Sequence, residues 1–280
     1  MKPLFILSVA VMLINLSCKK DETSEGIIVM KDVAFGNHIS QKFDAHLPAN
    51  RNEQTTKALI LIHGGAWISG DKTDFDSTIR VLASQLPDYA FFNLNYRLAN
   101  LSGDNKWPAQ IDDINAAYSF IISKSGEYKF NPSKVVIGGA SAGAHLALLK
   151  AYKFGTPPGI KAVVDLFGPT DMKGIYEYDA NYAFLFNSFM GGPPTANPAV
   201  YENASPLYQV SASVPPTLIF HGGKDMVVPI KQSDSLSARL QAVNVATEYY
   251  VYPNEGHSWY GPNLQDTYQK IIAFIKKHNP

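Results

Sequence analysis

The sequence predicts one α/β domain, in which a mostly parallel, doubly wound sheet carries helices on both faces. Apolar runs typical of buried strands alternate along most of the chain with longer stretches of helical periodicity. One predicted strand passes through a short glycine turn directly into a predicted helix. With 280 residues, 46% of them hydrophobic and 17% charged, the chain can bury a large core, and a disordered protein is excluded.

The elements follow one another in a simple order. Two antiparallel strands are expected first, over residues 28–34 and 42–47, and a polar loop covers 48–56. The alternating strands are then predicted at 59–62, 90–96, 134–138, 162–167, 217–220 and 247–252. The helices between and after them are predicted at 74–86, 110–123, 142–154, 231–243 and 263–277. Such alternation is typical of parallel sheets covered on both faces.

The segment 168–214 does not fit the alternation. It is rich in tyrosine and phenylalanine, contains Gly191-Gly192-Pro193-Pro194, and is long for a simple crossover. We interpret it as a small, mostly helical, cap-like insertion over the functional site. Its aromatic side chains can pack the insertion onto the sheet, line a pocket, or do both.

The turn Gly139-Ala140-Ser141-Ala142-Gly143 joins the third of the alternating strands to its helix. A strand, a sharp turn and a helix in this order are the setting of a nucleophile elbow. Glycine two residues before and two after the serine removes the bulk that such a tight turn cannot accommodate. Ser141 is therefore the predicted nucleophile, and the following helix N-terminus directs backbone N–H groups at any negative charge that forms beside it.

An acid and a base follow Ser141, which is one of the known chain orders of a serine catalytic triad. Asp225 follows the strand at 217–220, and His257 follows the strand at 247–252, so both lie at the carboxyl edge of a parallel sheet. Asp225 is the predicted acid, with Asp171 as an alternative that more simply caps a helix. His257 is the predicted base. The alternatives to His257 are His63, which is expected to brace its own loop, and His145, which lies one turn along the following helix and is expected to point away from the substrate.

A glycine pair follows the first alternating strand, in His63-Gly64-Gly65-Ala66-Trp67. Adjacent glycines let the backbone approach a substrate carbonyl closely. The N–H groups of Gly65, Ala66 and Ala142 are the predicted oxyanion hole. Trp67 is expected to pack beneath this loop, and Trp259 to contact the substrate.

These motifs together resemble those of the α/β-hydrolase superfamily. The resemblance extends from about residue 30 to residue 277 and also includes Asn95-Tyr96-Arg97-Leu98-Ala99. It is greatest for carboxylesterases of the bacterial feruloyl/acetyl esterase and hormone-sensitive-lipase-like group. The resemblance implies an α/β-hydrolase fold, a serine esterase that acts through an acyl-enzyme, and no cofactor. The third glycine usual in the lipase-like members is Ala66 here, as in the feruloyl/acetyl esterase branch, which argues against a dedicated long-chain lipase. Together with the short, aromatic-rich insertion and the export predicted below, this resemblance implies short acyl or hydroxycinnamoyl esters of carbohydrates as substrates.

The sequence motifs are also compatible with other activities. The same fold supports serine peptidases and amidases of the aryl-formamidase type, and a surface binding protein could use a hydrolase fold without catalysis. Lys+Arg 24 balances Asp+Glu 24, which argues against a nucleic-acid partner. The seven histidines show no metal-ligand spacing, so no metal is expected. The expected binding partner is therefore a small-molecule or oligosaccharide ester, and the sequence does not define the oligomeric state.

Arg97 and Asp112 are expected to form a structural ion pair.

The N-terminus predicts export from the cytoplasm. Residues 1–17 are predicted to form a signal peptide. A short charged start precedes the apolar run 4–16, which is too short for a mature membrane span. Ser17-Cys18 resembles the cleavage site of bacterial lipoproteins, although Asn15 stands where leucine is usual. Residues 18–27 are then a lipidated cysteine with a polar tether, and 28–280 the hydrolase domain. This predicts a lipid anchor at Cys18 that holds the protein in the bacterial outer membrane, where the domain faces either the periplasm or the cell surface. The alternative is an ordinary secreted or periplasmic enzyme without a lipid anchor.

Overall fold

The computed structural model describes residues 26–100, 102–155 and 159–280. Its strands form one eight-stranded sheet in the order β1-β2-β4-β3-β5-β6-β7-β8. The first two strands are antiparallel to their neighbours, and the remaining pairs are parallel. The strands are β1 (Ile28–Ala34), β2 (Lys42–Leu47), β3 (Lys57–Ile62), β4 (Tyr89–Leu94), β5 (Val135–Ala140), β6 (Ile160–Leu166), β7 (Thr217–Gly222) and β8 (Thr247–Tyr252).

Helices connect the parallel strands, as the alternating pattern predicts. A 3₁₀ turn over Lys72–Phe75 precedes the first of them, because Asp71 caps the backbone N–H of Thr73 and starts the turn earlier than periodicity indicates. The α-helices are α1 (Asp76–Gln85), α2 (Ala109–Ser123), α3 (Ser125–Tyr128), α4 (Ala142–Lys153), α5 (Met172–Tyr178), α6 (Ala180–Phe189), α7 (Pro198–Ala204), α8 (Lys231–Ala242) and α9 (Gly261–His278).

Two apolar cores lie on opposite faces of the sheet. Successive residues of β3 show the division, since Ile60 and Ile62 belong to one core and Leu59 and Leu61 to the other. Helices α2, α4 and α8 cover the first face, while α1 and α9 cover the second. Because both faces are covered, the central strands β3, β4, β5 and β7 are apolar and almost continuously buried.

The predicted insertion is present between β6 and β7. It contains α5, α6 and α7, and its buried side chains Phe186, Phe189 and Tyr201 join the core on the α4 face. Asp171 and Asp179 cap the N-termini of α5 and α6 through their carboxylates. The aromatic residues therefore hold the insertion on the sheet.

The expected ion pair of Arg97 with Asp112 is wrong by one residue. Arg97 Nη2 lies 2.6 Å from Oδ1 of Asp113, and the Arg97 backbone N–H donates to Oδ2 of the same carboxylate at 2.8 Å. On α2, Asp113 faces the sheet and is buried, whereas Asp112 faces solvent. Two adjacent acidic residues lie about 100° apart on a helix, so only one of them can reach the arginine.

The predicted signal peptide and Cys18 lie outside the described residues. Within the described ranges, no helix combines the length and apolar character that crossing a membrane requires.

Candidate active site

The turn that carries Ser141 has the sharp geometry predicted from its glycines. Ser141 has φ 54° and ψ −121°, between the end of β5 and the start of α4. A Cβ on Gly143 would lie 2.0 Å from the carbonyl oxygen of Ile62, and one on Gly139 would lie 2.5 Å from the Gly143 carbonyl carbon. Both glycines are therefore required by close backbone packing, and the strained conformation of Ser141 presents its side chain at the sheet edge.

Three predicted side chains come together at this edge. His257 Nε2 lies 2.9 Å from Ser141 Oγ, and His257 Nδ1 lies 2.8 Å from Asp225 Oδ2. Asp225 Oδ2 can only accept the proton on Nδ1, so Nε2 is free to accept the proton of the Ser141 hydroxyl. The geometry thus matches a serine, base and acid in series.

Asp225 is held as a carboxylate by several donors. Its Oδ1 accepts the backbone N–H groups of Val227 at 2.8 Å and Val228 at 2.9 Å. Burial alone would raise the pKa of Asp225, but hydrogen bonds from His221, His257 and Val228 outweigh that effect and hold the pKa well below its usual range. The acid is therefore charged and fixed in orientation.

The glycine loop after β3 lies beside Ser141. Gly65 has φ 106°, and its carbonyl accepts hydrogen bonds from the backbone of Ile68 and Ser69. Ala66 and Trp67 also have positive φ, so the loop turns back tightly towards the elbow. Among the described residues, the N–H groups of Gly65, Ala66 and Ala142 have no protein acceptor, and all three residues line the same cavity as Ser141. This arrangement is suited to an oxyanion.

Two other histidines have structural positions. His63 is buried, stacks on Tyr96 with ring centroids 4.5 Å apart, and contacts the Gly64 carbonyl through Nδ1 at 2.7 Å. His145 accepts the indole N–H of Trp67 at 3.2 Å and contacts the Ala204 carbonyl at 2.7 Å. Burial lowers the pKa of His145 to about 4, which keeps it neutral. Both therefore brace the glycine loop after β3, and Trp67 packs beneath that loop as expected.

The structure does not support the expected contact of Trp259 with substrate. Trp259 is buried, its indole N–H donates to Thr267 at 2.9 Å, and it is not among the described residues that line the cavity. Its ring packs edge-on against Phe167 at 5.3 Å, and Phe167 in turn contacts the His257 ring at 4.7 Å. Phe167 is therefore one aromatic wall of the cavity, and Trp259 packs against it on the side away from the cavity.

The cavity over Ser141 has a volume of about 400 Å³. The insertion closes one side through Ile175 of α5 and Tyr182 of α6, whose hydroxyl donates to the Val227 carbonyl at 2.9 Å. A larger cavity of about 540 Å³ lies on the other side of α5. It is lined by Lys173, Tyr176, Glu177, Pro193, Pro194, Thr195, Pro198, Tyr201, Glu202 and Tyr208.

Sequence reasoning missed one histidine of this site, His221 on β7. His221 is fully buried, and its Nε2 lies 3.2 Å from the same Asp225 oxygen that binds His257. The signal was a histidine inside an apolar strand, four residues before the predicted acid.

No group of three or more His, Cys, Asp or Glu side chains is placed to hold a metal ion within the described ranges.

Comparison with known proteins identifies the family. The sequence model of the BD-FAE family matches residues 43–240, a segment that includes Ser141 and Asp225. The chain belongs to the BD-FAE family. Esterase LipQ of Mycobacterium tuberculosis is 31% identical over 216 residues, which are 72% of this chain and 50% of LipQ. The chain spans about half the length of the curated relatives it matches.

Solved structures of esterases share the fold of this chain. A truncated form of carbohydrate esterase from gut microbiota superposes with a TM-score of 0.78 at 25% identity, covering 90% of this chain and 96% of that one. A bifunctional GH43-CE protein of Bacteroides eggerthii superposes with a TM-score of 0.76 at 28% identity, covering 90% of this chain and 38% of that one. The predicted α/β-hydrolase fold is confirmed.

Proposed function

We propose that this BD-FAE protein is a serine carboxylic-ester hydrolase that acts through an acyl-enzyme. The observation that carries this proposal is the hydrogen-bonded series Ser141–His257–Asp225, which opens into a cavity. The N–H groups of Gly65, Ala66 and Ala142, residues that line this cavity, have no acceptor within the described part of the chain. Esterase relatives support the same reaction class.

In the first half of the reaction, Ser141 Oγ attacks the ester carbonyl while His257 Nε2 takes its proton. Asp225 stabilises the imidazolium that forms at His257. The N–H groups of Gly65, Ala66 and Ala142 donate to the oxyanion, and each donor contributes roughly 3 kcal/mol in comparable sites. His257 then gives the proton to the departing alcohol, which leaves the acyl group on Ser141.

In the second half, water replaces the alcohol. His257 takes a proton from the water, hydroxide adds to the acyl carbonyl, and Ser141 leaves with the proton that His257 returns. Every proton taken is given back within one turnover, so the reaction needs no cofactor. The product is a free carboxylic acid.

For the substrate, we infer a short acyl or hydroxycinnamoyl ester of a carbohydrate. The cavity of about 400 Å³ falls in the range of small-molecule sites, roughly 300–1,000 Å³. Phe167 and Tyr182 offer aromatic surfaces for an acyl group or a sugar face. The structural similarity to the carbohydrate esterase from gut microbiota supports the carbohydrate part.

A substrate panel tests both parts of the proposal. Wild-type protein and Ser141→Ala are assayed on p-nitrophenyl esters of increasing chain length, acetylated and feruloylated xylo-oligosaccharides, and aminoacyl anilides. The proposal expects Ser141-dependent hydrolysis of short or sugar esters. Preference for C10 or longer esters would indicate a lipase, preference for anilides a peptidase or amidase, and no turnover a binding protein.

We further propose export and lipid anchoring through Cys18, in the bacterial outer membrane. The support is the sequence alone, an apolar run that ends at Ser17-Cys18 before a polar tether. Labelled fatty acid should enter the wild-type protein and not Cys18→Ala. A mature N-terminus several residues away, without lipid, would instead show an ordinary secreted protein.

A further inference from the structure

The acid of the proposed triad carries two histidines on one oxygen. Asp225 Oδ2 lies 2.8 Å from Nδ1 of His257 and 3.2 Å from Nε2 of His221. The first histidine continues to Ser141, and the second continues to Ser233 on α8, with 2.7 Å between His221 Nδ1 and Ser233 Oγ. Two serine–histidine pairs therefore meet at the Asp225 carboxylate, and we call this set of five side chains the array. Its first arm is Ser141–His257, and its second arm is Ser233–His221.

The proton on the second arm is fixed by its neighbours. His221 Nε2 lies 2.9 Å from the carbonyl oxygen of Val228, which can only accept, so Nε2 carries a proton. That N–H is shared between the Val228 carbonyl and Asp225. The protonated and neutral forms of His221 differ only at Nδ1, where the Ser233 hydroxyl can accept in one case and donate in the other.

The second arm is enclosed, whereas the first reaches the cavity. His221 and Ser233 are fully buried, and neither lines the cavity over Ser141. Burial would lower the pKa of His221, but hydrogen bonds to Asp225 and Val228 outweigh it and raise the pKa above its usual value. A second hydrogen bond on Asp225 Oδ2 withdraws electron density from the oxygen that stabilises the His257 imidazolium.

We propose that His221, held by Ser233, is a positioning residue that fixes the Asp225 carboxylate and weakens its hold on the His257 proton. This inference rests on the proposed function for its catalytic consequence. A change in this hold should alter the pH profile of catalysis. The other titratable groups that face this array are Asp165 on β6 and Tyr182 on α6, both of which interact electrostatically with it.

Four variants separate positioning from packing. His221→Leu removes the donor to Asp225, His221→Gln restores an N–H near the position of Nε2, and Ser233→Ala removes the partner of Nδ1. The packing control is Phe220→Leu, because Phe220 precedes His221 on β7, is equally buried, and belongs to the core on the other face of the sheet. If the leucine variant does not fold, the glutamine and Ser233→Ala variants still test the arm.

The first readout is the pH profile of kcat/KM on a p-nitrophenyl ester. His221→Leu should lower the plateau by roughly tenfold and move the acid limb up by about half to one pH unit. Ser233→Ala should produce a smaller shift in the same direction, and His221→Gln should restore most of the wild-type profile. Phe220→Leu should leave the acid limb where it is in the wild type.

The second readout does not need turnover, so it separates this inference from the proposed function. The low-field ¹H NMR signal of the His257 Nδ1–H should move further downfield in His221→Leu, because Asp225 Oδ2 then serves one donor. Absence of any ester hydrolysis by the wild type would contradict the proposed function alone. An unmoved NMR signal, or an acid limb unmoved by His221→Leu, would show that His221 only packs and would overturn the inference.

Discussion

Asp225 and Asp171 differ in what their carboxylates bind. Asp225 accepts His257 on one oxygen and the backbone of Val227 and Val228 on the other. Asp171 accepts the backbone N–H of Gly174 at 3.1 Å, as an N-terminal cap of α5. Only Asp225 is therefore placed to orient the proposed base.

This difference gives a prediction for four single substitutions. Ser141→Ala and His257→Ala should lower kcat on a short ester by roughly four to six orders of magnitude, and Asp225→Asn by about four, with folding retained. Asp171→Asn keeps the shape of the cap and should change kcat less than about threefold. The measurement is steady-state kinetics with circular dichroism as a folding control. A severe loss in Asp171→Asn combined with an active Asp225→Asn would reverse the assignment of the acid.

Site residues that directly follow a strand could be predicted from the sequence. Residues that lie within a strand, or that pack behind the cavity wall, could not. Ser141, Asp225 and His257 each follow a strand in a glycine-containing turn, and parallel strands place such positions at one edge. His221 comes directly after the strand predicted at 217–220, but β7 extends to Gly222 and His221 is buried within it, a position that the sequence did not indicate. Trp259 follows His257 closely, but sequence does not give the direction of its side chain, which points towards α9.

At the scale of elements, α5 forms a wall between two cavities. Ile175 lines the cavity over Ser141, while Lys173, Tyr176 and Glu177 line the larger cavity on the opposite side of the helix. The larger cavity combines tyrosine rings with carboxylates, which suits the faces and hydroxyl groups of a sugar better than an alkyl chain. An extended carbohydrate ester could therefore contact both sides of this helix.

The substitution Tyr208→Ala tests whether a carbohydrate substrate contacts the larger cavity beside α5. Tyr208 is half exposed and lines the larger cavity, so its loss should raise KM for an acetylated xylo-oligosaccharide by about two- to tenfold. Hydrolysis of p-nitrophenyl acetate should not change. The matched control is Tyr178→Ala, since Tyr178 is similarly exposed on α5 but does not line either cavity. Equal effects of the two variants on both substrates would contradict a sugar contact at Tyr208.

The regular elements were predictable because their signals are local. The bounds predicted for β1, β2 and β8 agree with the structure. The insertion could be placed but not resolved into α5, α6 and α7, because its aromatic residues lack a clear helical period. The choice of Asp113 over Asp112 depends on the rotation of α2 about its axis, which one sequence does not fix within a residue.

At the scale of the whole molecule, one buried acid links stability to pH. Asp165 on β6 is fully buried, and burial raises the pKa of Asp165 to about 7, despite a hydrogen bond from the Gly168 backbone at 2.8 Å. Its Oδ2 has no hydrogen-bond partner within the described part of the chain. The native state therefore holds a proton at Asp165 that the unfolded chain releases at about pH 4.

The sign of the pH effect follows from that difference. Between about pH 4 and pH 7 the native state binds more protons at Asp165 than the unfolded state, so the free energy of unfolding falls as pH rises. Asp165→Asn cannot titrate and lacks this contribution. Calorimetric Tm values should show the wild type losing several degrees relative to Asp165→Asn between about pH 4.5 and pH 7.5. Parallel curves of Tm against pH would mean that Asp165 is charged in the native state.

The central claim, that Ser141 forms a covalent acyl-enzyme, is tested most directly by trapping it. The protein is treated with a fluorophosphonate ester analogue, and the modified residue is located by peptide mass spectrometry while residual esterase activity is followed. We expect one adduct per chain, on Ser141, that appears in step with the loss of activity. The adduct should be absent from Ser141→Ala and should form much more slowly in His257→Ala. Full inactivation with the adduct on another residue, or esterase activity that survives in Ser141→Ala, would contradict it.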